Sequence, residues 1–213
     1  MNIKLQNVLP HEIEKRSFEM ITAELGGKAL APEREAVVKR VIHTTADFDY
    51  ADNLAFSPDA VHHALDALRG GATIVTDTAM ARAGINKAAA ERLGCSVVCY
   101  IGDEDVAREA VRRGTTRAQA AVEKAAALGD HVIFAVGNAP TALVRLYELI
   151  CDGALRPRLV IGVPVGFVNV VESKNLMLST DVPHIVARGR KGGSNVAAAI
   201  CNALLYQATG RVL

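Results

Sequence analysis

The chain has 213 residues, half of them apolar and 22% charged, a make-up that suits a folded domain and excludes a disordered chain. Lysine and arginine (24) balance aspartate and glutamate (23), so the totals offer no basic excess for nucleic acid. No apolar run approaches the roughly 18 residues of a membrane span, and Met1-Asn2-Ile3-Lys4 opens no signal-peptide core. Cys95, Cys99, Cys151 and Cys201 do not make a disulfide framework, so free thiols and a cytoplasmic location are expected. The 35 alanines, with few aromatics and no Trp, point to helices packed on a sheet through small residues. No Pro/Gly/Ser-rich linker and no internal repeat divides the chain, so one domain over residues 1–213 is expected.

In chain order, Ile13, Phe18, Ile21 and Leu25 fall near helical spacing over residues 11–25, and Gly26-Gly27 stops the run. A second helix is expected from Pro32, a favoured first-turn residue, to about Thr44, with Glu33 and Glu35 suiting its positive end. A third spans Pro58 to Leu68. Short, near-continuous apolar runs then appear at residues 72–76, 96–101, 131–136 and 159–161, with a weaker fifth at 183–187. Such runs read as strands buried on both faces. Helical patterns separate them at about 86–93, 104–128, 139–151 and 194–207. The alternation predicts an α/β fold with a mainly parallel, about five-stranded sheet and right-handed crossovers. Ligands in such sheets sit beyond the carboxyl ends of the strands.

Two segments at those ends invite an anion. Gly137-Asn138-Ala139-Pro140 follows a strand and opens a helix, with Asn138 as the expected N-cap. It reads equally as a capped helix and nothing more. Gly189-Arg190-Lys191-Gly192-Gly193-Ser194-Asn195 sets two cations beside glycines and a helix start, against the plainer reading of a solvated basic turn. Neither has the spacing of a P-loop or a dinucleotide fingerprint. Cys95 and Cys99 have no second ligand pair at zinc-like spacing, and no nucleophile elbow follows a strand, so neither a metal nor a serine-hydrolase site is expected.

Arg40 and His43 stand three residues apart on the second helix, opposite the stripe of Val37, Val38, Val41 and Ile42. A histidine there faces a cleft or a second subunit, and imidazole is the usual proton donor near neutrality. The plainer reading is a surface histidine near a helix C-terminus. Asp47 and Asp49 follow closely and would tune its charge.

Taken together, Ile13 to Phe18, Arg40-Val41-Ile42-His43-Thr44-Thr45-Ala46-Asp47-Phe48, Thr76 to Met80, Gly137 to Leu143, Gly162 to Val168 with Glu172-Ser173-Lys174, and Gly189 to Asn195 form an ordered set from about residue 10 to 206. The set resembles the precorrin-8X/cobalt-precorrin-8 methylmutases of cobalamin biosynthesis, and the wording around Thr44 to Asp49 is nearer the cobalt-dependent, anaerobic branch. The resemblance implies a three-layer α/β/α sandwich, a homodimer, and an isomerase that moves a methyl group from C-11 to C-12 of a precorrin-8-type tetrapyrrole. It implies His43 as proton donor and acceptor, and Ser17 and Arg40 as substrate-binding residues. A 1,5-sigmatropic shift needs no redox cofactor. The substrate's acetate and propionate arms call for dispersed cations, for which Arg117, Arg190 and Lys191 are further candidates. Two other classes stand beside the isomerase. A tetrapyrrole carrier would need the anion sites but no acid–base group. A nucleotide-binding regulator would rest on fold analogy alone.

Overall fold

The computed structural model describes residues 8–211. Its elements in order are α1 (Ile13–Glu24), α2 (Pro32–Thr45), α3 (Tyr50–Asn53), β1 (Leu54–Phe56), α4 (Ala60–Arg69), β2 (Thr73–Thr76), α5 (Ala79–Gly84) and α6 (Lys87–Arg92). There follow β3 (Val97–Val98), α7 (Glu104–Arg113), α8 (Arg117–Ala126), β4 (Val132–Val136), α9 (Pro140–Cys151), β5 (Leu159–Gly162), α10 (Val170–Leu178), β6 (His184–Ala187) and α11 (Ser194–Ala208). No helix among the described residues is long and apolar enough to cross a membrane.

The strands form one sheet in the order β1-β6-β5-β4-β2-β3. All neighbours are parallel except β1, which runs antiparallel along β6 with Leu54 opposite Ala187. Strand β4 shows why the sheet lies in the middle of three layers. Val132, Phe134 and Val136 turn to one side and Ile133 and Ala135 to the other, and all five are buried. The first side packs under α8, α9 and α10. The second packs under α2, α4 and α11. Nine residues of α11 are buried, four of them alanines, so the helix backbone lies close against its neighbours.

The sheet has six strands rather than about five. The sixth, β1, is three residues long and too short to show alternation. The weak run at 183–187 is a fully buried strand inside the sheet. The expected strand at 96–101 shrinks to Val97–Val98. The expected helix 104–128 is two helices. Gly114 takes a left-handed φ of 63°, and Thr116 starts α8 with a reciprocal capping box to Gln119. Helices α3, α5 and α10 were not anticipated.

The strand order reverses between β2 and β4. Their carboxyl ends, at Asp77 and Gly137, therefore flank the crevice where open α/β sheets receive ligands.

Candidate active site

Helix α2 carries the residues with the clearest chemistry. Pro32 opens it, Glu33 and Glu35 sit in its first turn, and Ala46 closes it in the left-handed conformation. Val37, Val38, Val41 and Ile42 are buried in the core as the spacing requires. On the other side, His43 is exposed, and its ring stacks on Phe18 of α1 with centroids 5.3 Å apart and planes 13° off parallel. Arg40 is only 7% exposed. Its cover comes from this same chain: the guanidinium lies 4.7 Å over the Phe18 ring and 5.2 Å from that of Tyr206.

One edge of Arg40 is ion-paired with Glu14, whose other oxygen takes a 2.7 Å contact from Arg211. The remaining Nε and Nη2 of Arg40 are buried without a partner. Leaving such donors unpaired costs about 1–3 kcal/mol, a loss that an incoming anion would reverse. Burial, and then the positive charge of Arg40, lower the His43 pKa below its ordinary value, with Glu14 pulling the other way. The protonated imidazole is therefore a stronger acid than that of a free histidine.

Ser17 lies beside this stack, half-buried, its hydroxyl donating at 2.9 Å to Ile13 in its own helix. The other candidates lie apart, at the carboxyl ends of the strands. Arg190 is exposed and its guanidinium lies 5.3 Å over Phe167. Lys191 is not a free cation: its ammonium is held at 2.6 Å by both Asp47 and Asp49. Those carboxylates hold its pKa well above the usual lysine value, and Lys191 in turn lowers that of Asp47. This pairing ties the loop before α11 to the turn that leaves α2. Arg117 is exposed at the start of α8, next to Thr116, which contacts Thr141 of α9 at 3.0 Å.

The amides of Gly137, Asn138 and Ala139 are filled from within. The Asp77 carboxylate accepts all three, at 2.8–2.9 Å. The N-cap of α9 is Ala139 rather than Asn138. Helix α11 begins at Ser194 with no side-chain cap, and the Ser194 hydroxyl meets that of Thr78 at 2.8 Å. Around this end, four large apolar side chains stand open: Met80, Val165, Phe167 and Val168. Met80 stands on α5 and the other three on the loop after β5; they escaped sequence reading, because each stretch alone looks like a strand-to-helix link. A cavity of about 980 Å³ lies elsewhere, lined by Ser57, Asp130, Arg158, Asp181 and His184. A groove of about 470 Å³ runs between α1 and α2, past Phe18, Ala36, Lys39 and Arg211.

The arrangement defines an α/β protein with one imidazole available for proton transfer, scattered cations and an exposed apolar rim, suited to a large, flat, many-armed anion. The family model for precorrin-8X methylmutase matches residues 12–207. Over 197 residues the chain is 47% identical to the cobalt-precorrin-8 methylmutase of Priestia megaterium, covering 92% of this chain and 88% of that one. It is 48% identical over 205 residues to the corresponding protein of Salmonella typhimurium, covering 92% and 95%. The crystal structure of the Thermus thermophilus precorrin-8x methyl mutase superposes with a TM-score of 0.86 at 43% identity, covering 94% of this chain and all of that one. The chain belongs to the precorrin-8X methylmutase family, the intramolecular methyl-transferring isomerases of cobalamin biosynthesis.

Proposed function

We propose that this chain takes the cobalt-containing substrate, in line with the names of the Priestia and Salmonella relatives, and moves the methyl group from C-11 to C-12. The observation that carries the mechanism is the stack of His43 on Phe18 beside buried Arg40. The imidazole is open on one side to a ligand, and burial and a fixed cation lower its pKa, so that its protonated form gives up a proton readily. In its protonated form His43 donates to the conjugated macrocycle, which reaches the tautomer from which the methyl migrates. The bond to C-11 breaks as the bond to C-12 forms. A proton then returns to His43, so nothing is consumed.

Substrate carboxylates are received by Arg40 and Ser17 on one side, and by Arg190 and Arg117 at the strand ends. Arginine suits this because its planar fork matches a carboxylate. Lys191 contributes less by direct contact, its charge being shared between Asp47 and Asp49. Met80, Val165, Phe167 and Val168 cover apolar parts of the macrocycle or of a second subunit. The active species is a homodimer in the cytoplasm, and its two copies enclose a ligand too wide for one strand-end crevice. A carrier would use the same cations but has no need of a proton donor at the ring. Parallel incubations with cobalt-containing and metal-free substrate, followed by visible spectroscopy, test the reading. Faster conversion of the cobalt form is expected, and turnover of the metal-free form alone would contradict it.

A further inference from the structure

Lysine 174, on α10, is buried to 1% exposure, and no carboxylate lies within ion-pairing distance of it among the described residues. Its ammonium donates instead to two backbone carbonyls, those of Gly189 and Lys191, each at 2.8 Å. A methionine would fill the same volume without desolvating a charge, but it would strand both carbonyls. The N–H of a trans peptide points opposite its C=O. Turning the 189 and 191 carbonyls inward therefore turns the Arg190 and Gly192 amides outward, and neither amide has a protein acceptor among the described residues.

Further contacts pin the same loop. Gly193 donates to Val163 at 2.8 Å. A side chain at Gly192 would stand 2.1 Å from the Val163 oxygen, so only glycine fits. The Lys191 ammonium reaches Asp47 and Asp49 beyond the end of α2.

We propose that Lys174 is a positioning residue for substrate binding: it fixes the 189–192 backbone so that Arg190 and two outward amides meet a carboxylate arm, while Lys191 holds that loop to the helix bearing His43. This rests on the reading that the 189–195 loop receives substrate. Burial lowers the Lys174 pKa to about 8. A neutral amine keeps two hydrogens, so the two carbonyls stay bound on either side of that value.

The test compares Lys174→Met, Lys174→Gln and Arg190→Ala in the full-length enzyme. It reads KM and kcat with the precorrin-8-type substrate, and amide hydrogen exchange without it. Lys174→Met should raise KM about tenfold with kcat nearly unchanged, the pattern of lost uniform binding. Exchange should quicken at Gly166 and Gly193, whose amides bond across this loop, while β4 and β5 stay protected. Lys174→Gln, which keeps a donor, should fall between Lys174→Met and wild type and serves if Lys174→Met does not fold. An increase in KM for Arg190→Ala with wild-type KM and exchange in the Lys174 variants would overturn the proposal. Wild-type KM for Arg190→Ala would instead remove the loop from substrate binding, and the exchange data would still judge whether Lys174 holds it.

Discussion

The carboxylate of Asp77, at the end of β2, accepts the amide of Gly137, at the end of β4, across the gap where the strand order reverses, at 2.9 Å. The place where an open α/β sheet usually binds an anion is occupied by the protein's own. Burial raises the Asp77 pKa, and hydrogen bonds from three amides oppose that rise. Gly137 itself cannot change, since a Cβ there would stand 2.7 Å from the Ser194 Cα. The crevice is thus a structural joint between β2, β4 and α11.

Asp77→Ala should therefore cost stability more than chemistry. It removes the acceptor of three N–H groups, of which that of Gly137 is buried, a loss of about 1–3 kcal/mol for that one alone, while Asp77→Asn should lose less. Denaturant midpoints check this. Wild-type stability in the alanine variant would contradict the assignment.

Much of this was legible in the sequence, and the failures share a cause. Strand β4 was readable because five apolar residues stand between polar ends. The Arg40–His43 pair was readable because helical periodicity separates it from the valine stripe. The joint at Asp77 was not, since its partners lie 60 residues away and only the sheet order brings them together. Lys174 looks like a surface lysine between Ser173 and Asn175; its burial depends on where the 189–191 loop closes. The apolar spacing showed that Arg40 lies off the main core, but not that Phe18 and Tyr206 cover it.

The electrostatics of the stack predict the sign of a pH effect. Arg40 lowers the His43 pKa and Glu14 raises it. Arg40→Gln should move the imidazole titration upward, and Glu14→Gln should move it downward. If the protonated imidazole is the donor, activity falls as pH rises through that pKa, so the alkaline limb of kcat/KM should shift with it. Imidazole proton shifts in NMR give the titration directly. Movement in the same direction for both variants would contradict this account.

Arg40→Ala should weaken macrocycle binding by roughly 1.5–3 kcal/mol, the worth of a partly desolvated charge-assisted contact. Lys191→Ala should weaken it less, since Asp47 and Asp49 already hold that ammonium. Equilibrium titration decides this. Unchanged affinity in both variants would place the carboxylates elsewhere.

Sedimentation at micromolar concentration should give about twice the 22.6 kDa chain mass, with or without ligand. A fully active monomer would contradict the two-subunit enclosure and leave the His43 assignment standing.

The central claim is that His43 moves the proton. Methyl-shift turnover by His43→Ala, with macrocycle affinity measured on the same preparation, tests it most directly. The account predicts a loss of about 10²–10⁴-fold or more in turnover with binding largely kept; near-normal turnover in that variant would contradict it.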